Sequence, residues 1–505
     1  MKPLFRHILL MICLVLAWTV AFQVPAWGAE AEDAAPTAKF EADAEAQLLV
    51  DLINAARKDP LGTAATLGMD PAKIVADFPE LADILTNGLP ELVFDERLYR
   101  SAQKHTADML ANSYYAYESS DGRTLWHRMN DEGYAAIFSG ESLGLLFFNN
   151  FISPETAVGR IFANMYRDEL DPAGSGSRNI LNPDAQDIGA SIGGGIYKFN
   201  GYTGNVYLAT CDFGATPETY ELQVINLINQ VRANPGPVLA ELGIGINEAD
   251  FPELADLFAK GGLAPLWFDP ALYRAADTLV KDMFKNNHFN PRTADGRTAN
   301  MRARENKYRS EWIAETRMRN ITCDQAVSPS ETLSRFFKQM VTRAFREDQN
   351  QREQHLFSAT AVDAGIRIMA GAQPEMGFIC GDNLHILVAD FAARDEYPDT
   401  ALTGVVYADR NSNGIYDIGE ELAGVGITIK LSAPGGKATH LTTGPAGGYG
   451  MRLAPGRYRV SVDTEVAEWV RWIDVDAARS TWLSVALPFN EDEGIIAENR
   501  AGNEE

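Results

Sequence analysis

The sequence predicts an α+β protein: two tandem α–β–α sandwich domains followed by a small all-β sandwich. Three observations carry this. A block of about 175 residues occurs twice. Inside each block, apolar residues first follow helical spacing and later strand spacing. After Pro398 the apolar residues alternate, and Gly and Pro punctuate them. A chain of 505 residues has room for three such domains, and 46% hydrophobic residues suffice for packed cores.

The repeat is read from offsets. Leu52-Ile53-Asn54, Arg57 and Pro60 recur 175 residues later as Leu227-Ile228-Asn229, Arg232 and Pro235. Phe78 to Asp83 recurs at Phe251 to Asp256, offset 173, and Leu98-Tyr99-Arg100 at Leu272-Tyr273-Arg274, offset 174. Asp121-Gly122-Arg123-Thr124 recurs at Asp295 to Thr298, and Arg128, Tyr134 and Glu141 match Arg302, Tyr308 and Glu315. Asp187 and Gly189 match Asp363 and Gly365, and Asp212-Phe213 matches Asp390-Phe391. So steady an offset marks a tandem duplication of globular domains, with junctions near Thr216-Pro217 and Pro398-Asp399.

Each copy reads the same way. Leu48, Leu49, Leu52, Ile53 and Ala56 have helical spacing, as do Leu222, Ile225, Ile228 and Val231. Leu98 to Leu110 predicts a second helix with Asp95 as its N-cap. The Asp-Gly pairs at 121 and 295 mark turns. Phe151 to Leu170 predicts a further helix, started at Ser153-Pro154. Ile188 to Ile196 and Tyr207 to Phe213 predict strands. Helices followed by closing strands imply three layers.

The first 28 residues read as a signal peptide: Lys2, Arg6 and His7, an apolar run from Ile8, and small residues Ala26 and Gly28 before a cut at Ala29. An uncleaved anchor is the alternative. No later run is long and apolar enough for a stable membrane span. Cys323 and Cys380 could pair in an oxidising compartment, or all three remaining thiols could stay separate. The formal net charge of −25 argues against nucleic acid and anionic membrane as partners.

The motif order Leu-Ile-Asn-x-x-Arg, Leu-Tyr-Arg, Asp-Gly-Arg-Thr, Gly133-Tyr134, Gly140-Glu141-Ser142 and Asn179-Ile180-Leu181-Asn182 resembles the CAP superfamily of cysteine-rich secretory, antigen-5 and pathogenesis-related proteins. The resemblance covers residues 44–214 well and 218–394 more weakly. It implies a central cleft holding two histidines and acidic residues, able to bind a divalent metal. Glu141 and Glu315 occupy the motif's acidic position. Tyr117 and Pro291 stand where the first histidine belongs, and neither copy has the second. His127 and His288 are the nearest imidazoles in sequence. One glutamate cannot hold a transition metal, so no metal is expected in either cleft.

Residues 409–420 carry a different signal. Asp409, Asn411, Asn413, the Ile415 carbonyl, Asp417 and Glu420 fall at positions 1, 3, 5, 7, 9 and 12 of a calcium loop, with Gly414 at position 6. The flanks read as strands, so this is not a helix–loop–helix. The module resembles the B domains of serine-aspartate repeat adhesins, and Gly448 to Val460 resembles transthyretin-like repeats. That resemblance implies a calcium-stiffened stalk. With only three carboxylates, a weak Ca2+ site of about 10⁻⁴ M is expected.

The domain expectation is therefore a signal peptide at 1–28, CAP-like copies at 41–215 and 216–397, a β-sandwich at 398–490 and an acidic disordered tail at 491–505. The expected function is an exported, non-catalytic binding protein for an extracellular protein or glycan. No Gly-x-Ser-x-Gly or His-Glu-x-x-His motif appears. The rival is a secreted hydrolase of peptide or cell-wall substrates using a cleft glutamate as base.

Overall fold

The computed structural model describes residues 43–174, 178–199, 202–259, 262–322, 328–346, 348, 352–371, 383–394, 400–433, 436–463, 468–475, 479–490 and 494–495. The expected signal peptide, Cys323, Cys380 and the expected junction at Pro398-Asp399 lie outside them.

The first copy is built on helices α1 (Ala44–Lys58), α2 (Glu96–Asn112), α3 (Leu125–Asp131) and α4 (Pro154–Glu169), with several short helical turns between them. Its strands are β1 (Val93–Phe94), β2 (Phe138–Phe148), β3 (Asp187–Phe199) and β4 (Tyr202–Ala215), in the order β1-β3-β4-β2. Only β1 and β3 run parallel. Helix α2 covers one face of the sheet, and α1 and α4 cover the other. The Asp95 side chain accepts from the Arg97 and Leu98 amides, as an N-cap should. Ser153 caps α4. The strand β2 around Gly140-Glu141-Ser142 was not legible, because its alternation is weak and it pairs on one side only.

The second copy repeats the plan. Helices α5 (Glu218–Ala233), α6 (Pro270–Asn286), α7 (Ala299–Glu305) and α8 (Pro329–Ala344) flank β5 (Trp267–Phe268), β6 (Ile313–Thr322), β7 (Asp363–Gly371) and β8 (Asn383–Ala392), ordered β5-β7-β8-β6. The copies touch where the His385 ring lies 3.3 Å from the Ile137 carbonyl.

The repeated motifs have structural causes. Arg57 is buried and donates only to backbone carbonyls: Pro90 (2.8 Å), Ile180 (2.8 Å), Asn182 (2.9 Å) and Ala185 (3.3 Å). Arg232 repeats this on Ala264, Leu356, Ser358 and Ala361. Burial lowers Arg57 to about 10, opposed by the charge of Glu169. Burial, then the charge of Arg479, lowers Arg232 to about 9; Ala344 ends the helix α8 where Glu169 ends α4. Tyr134 and Tyr308 donate to Asp187 and Asp363 (2.7 and 2.8 Å).

The C-terminal region is all β. One sheet orders β11 (Ala438–Thr442), β10 (Gly426–Leu431), β13 (Gly456–Asp463) and β14 (Glu468–Val475). The other orders β12 (Gly448–Leu453), β9 (Thr400–Asp409), β16 (Val485–Asn490) and β17 (Gly494–Ile495), with β15 (Thr481–Trp482) beside β9. Leu402, Val406, Ile427, Ile429, Val460 and Val485 fill its core. Strand β17 pairs its backbone with Phe489 and Asn490. The remaining tail lies outside the described residues.

Gly189 and Gly365 are the tightest helix–sheet contacts. A Cβ on Gly189 would sit 2.0 Å from the Tyr99 amide nitrogen, and one on Gly365 would sit 2.2 Å from that of Tyr273. Neither neighbour can yield, because both are helix backbone. Gly189→Ala or Gly365→Ala should each cost about 3 kcal/mol in urea unfolding. A cost under about 1 kcal/mol at both sites would contradict this packing.

Candidate ligand cleft and cation loop

In the first copy, α3 and β2 bring Arg128 and Glu141 together. Both are buried, and Arg128 Nη2 donates to Glu141 Oε1 at 2.5 Å. The same guanidinium donates to the Tyr117 carbonyl, Ser119 Oγ and the Arg123 carbonyl at 3.0–3.1 Å. Gly122, with φ +82°, makes the turn that presents these acceptors. Asp212, fully buried, faces Glu141 directly across β2 and β4. Glu141 Oε2 and both Asp212 carboxylate oxygens have no hydrogen-bond partner among the described residues.

Two carboxylates this close and this buried cannot both ionise easily. Burial pushes Asp212 up to about 6, with Arg128 opposing. Glu141 is pushed well above its ordinary value, first by burial and then by the charge of Asp212. The pair therefore retains a proton that the unfolded chain gives up.

The open side of the cleft is aromatic. Tyr117 is 63% exposed and Tyr115 is 42% exposed. Partial burial, then the charges of Glu141 and Asp168, raise the Tyr117 phenol. Half-exposed Phe147 continues this surface and lies edge-on to Tyr197 at 5.8 Å.

The expected imidazoles do not reach the carboxylates. His127 is exposed and closes a capping box with Thr124 (3.0 Å). His288 pairs with Asp282 at 2.7 Å. The sequence reading missed His105, an imidazole buried on α2 with Nε2 3.0 Å from the Ala116 carbonyl and Nδ1 3.4 Å from Ser119 Oγ. Burial, then the charge of Arg128, pushes it down to about 4, so it is neutral. Leu279 takes its place in the second copy. Arg128 and Asp212 were missed as site residues as well, although the constant offsets to Arg302 and Asp390 marked them.

The second copy keeps the buried trio and adds an arginine beside it. Arg302 Nη2 donates to Glu315, which faces Asp390 across β6 and β8. Arg317 stands where the first copy has Leu143. Its Nε lies 3.1 Å from Glu315 Oε1, its Nη1 donates to the Phe289 carbonyl at 3.2 Å, and its guanidinium lies over the Phe289 ring. Phe289 and Pro291 replace Tyr115 and Tyr117.

The loop 409–420 follows β9. Asp409 accepts from the Asn413 and Gly414 amides, both at 3.1 Å. The side-chain amides of Asn411 and Asn413 both lie on Asp417 Oδ2 (2.9 and 2.8 Å). Glu420 is buried and accepts from the Arg410 and Asp417 amides. Ser412 and Gly414 have φ of +58° and +75°. The Asn411 and Asn413 side-chain nitrogens thus converge on Asp417, while their oxygens accept from the Asn413 and Ile415 amides. Among the described residues, however, no three His, Cys, Asp or Glu side chains are gathered as a metal site. The loop carboxylates stand apart, as like charges do.

A family model described as CAP, the cysteine-rich secretory protein family, matches residues 50–213 and 225–355, more than half of the chain. The chain belongs to the CAP family. The two matched ranges fall on the two copies. Among solved structures, an outer surface protein from Borrelia burgdorferi is 18% identical, with a TM-score of 0.20, covering 31% of this chain and 95% of its own. An extracellular protein containing an SCP domain from Bacillus anthracis is 14% identical, with a TM-score of 0.18, covering 37% of this chain and 53% of its own. No curated protein matches the chain. No helix among the described residues is long and apolar enough to cross a membrane.

The retained proton in the first CAP cleft sets a pH dependence. Asp212 is protonated more readily folded than unfolded, so its contribution to stability is present below about 4 and lost as pH rises through about 6. Asp212→Asn should flatten that part of the stability curve by about 2 kcal/mol relative to wild type. Parallel slopes for the two proteins in urea unfolding from pH 4 to 7 would refute the retained proton.

Proposed function

We propose that this CAP-family chain is an exported, non-catalytic binding protein whose first copy holds the ligand cleft. Its second copy is a scaffold, and its C-terminal sandwich is stiffened by calcium. The observation that carries this reading is the contrast between the clefts. Arg317 pairs with Glu315 in the second, whereas the first has Leu143 at that place and carries Tyr115 and Tyr117 exposed to solvent. Flat aromatic rings beside a polar floor suit a ligand with both apolar faces and hydroxyl or amide groups, such as a glycan or an extended peptide. The Arg128 ion pair on Glu141 disfavours a free general base there, so the binding reading stands ahead of hydrolysis.

Glycan and peptide arrays probed with the full chain should yield ligands whose affinity falls about tenfold or more in Tyr117→Ala, in keeping with loss of an aromatic anchor. Arg317→Leu should leave them unchanged. Retained binding in Tyr117→Ala would move the ligand site elsewhere. Turnover of such a ligand by wild type, abolished in Glu141→Gln, would favour the hydrolase.

The calcium reading rests on the donor set at 409–420. Hard oxygens from Asp409, Asn411, Asn413, Asp417 and Glu420 and the Ile415 carbonyl match a hard cation. Bound calcium would supply the charge that draws the separated carboxylates together. That would stiffen a module of the adhesin B-domain or transthyretin-like type. Calorimetry of the full chain with CaCl2 should give a dissociation constant of about 10⁻⁴ M, lost in Asp409→Ala. Absence of heat at millimolar calcium would end the claim.

A further inference from the structure

Helix α5 is buried on nearly every side: twelve of its sixteen residues are inaccessible, against six of fifteen in its counterpart α1. The extra burial comes from the C-terminal sandwich. Three side chains at helical spacing make the contact. Gln223 donates to Glu421 Oε1 (2.7 Å), Asn226 to the Ala446 carbonyl (2.9 Å), and Gln230 to the Tyr416 carbonyl (3.0 Å). Gln230 Oε1 also accepts from the Tyr416 amide at 2.7 Å. By the repeat offset, the first copy has Leu48, Asp51 and Ala55 at these places, and Asp51 and Ala55 are exposed. The amides belong to the second copy alone.

Gln230 therefore holds a residue inside the proposed cation loop. The Tyr416 N–H and the Ile415 C=O belong to one trans peptide plane, on opposite edges. A bond that draws the N–H toward α5 turns the Ile415 oxygen away from α5. That oxygen is the backbone donor at loop position 7. The bond also polarises the peptide and makes its oxygen a better donor. Tyr416 is fully buried, so water does not substitute for Gln230. The neighbouring Glu421 carboxylate is taken by Gln223, Tyr416 Oη and the Gly419 amide, which keeps it outside the loop's donor set.

We propose that Gln230, supplied by the second CAP copy, is a positioning residue for the calcium loop of the C-terminal module. It sets the Ile415 carbonyl for the ion. This rests on the reading of residues 409–420 as a calcium loop. The second copy thus acts on the module by presenting α5.

The test is CaCl2 titration calorimetry on the full chain, with folding of each variant checked by thermal melting in EDTA. Gln230→Met keeps the volume and removes both bonds; Gln230→Ala is the second variant should methionine disturb packing. Either should weaken calcium binding about five- to tenfold, the scale of one hydrogen bond. Asn226→Ala removes a docking bond from the same helix face but away from the loop, and should change affinity less than about twofold. Unchanged affinity in the Gln230 variants overturns the proposal. An equal loss in Asn226→Ala also overturns it, since docking alone would then explain the effect. Wild type that binds no calcium overturns the loop reading, and this proposal with it.

Discussion

A buried guanidinium without a carboxylate partner is the constraint around which each CAP copy is organised. Arg57 takes carbonyls from the turn before β1 and from three points in the segment before β3. The amides of that same segment, at Asn179, Ile180 and Leu181, are taken by Glu169 at 2.6–3.0 Å. An irregular stretch that buries its backbone must find partners for every polar group. Here one cation accounts for the carbonyls and one anion for the amides. The Asn-Ile-Leu-Asn motif is this suspended segment, and the Asn179 side chain ties it to the Glu141 carbonyl on β2. The cleft floor therefore hangs on the Arg57 clamp.

This explains how the copies diverged without losing their fold. In the second copy α8 ends in Ala344, and the clamp of Arg232 on backbone carbonyls survives. Removing such an arginine would orphan several carbonyls at once, so the residue is fixed while its electrostatic setting drifts. Cleft residues bear no such burden. Leu143 can become Arg317 because that side chain finds Glu315 and the Phe289 ring within reach. One substitution thus adds a cation beside the buried glutamate on an unchanged sheet.

The sequence made the helices and the paired central strands legible because their period and caps are local signals: Asp95 before α2, Ser153-Pro154 before α4, the apolar run of β4. It hid β2, β11 and β14, which lie at sheet edges and bury less of their length. Glu141 was found through its motif, but its partners Arg128 and Asp212 lie 13 and 71 residues away. Only strand register and the turn after Gly122 bring them together. His105 was hidden because a histidine on an apolar helix face looks like packing, and its bonds to Ala116 and Ser119 are largely that.

The contact between α5 and the loop at 409–420 changes what the C-terminal module can be. A stalk stiffened only by its own ion would leave that loop in water. This loop instead buries Ile415 and Tyr416 against a helix of the preceding domain, with both polar backbone groups of Tyr416 satisfied by a single side chain. Buried amides satisfied pairwise are costly to separate, since parting leaves four groups to find water in a tight seam. The second copy and the sandwich should therefore move as one piece. The first copy meets that piece through contacts such as His385 on the Ile137 carbonyl and Gln186 on Tyr220.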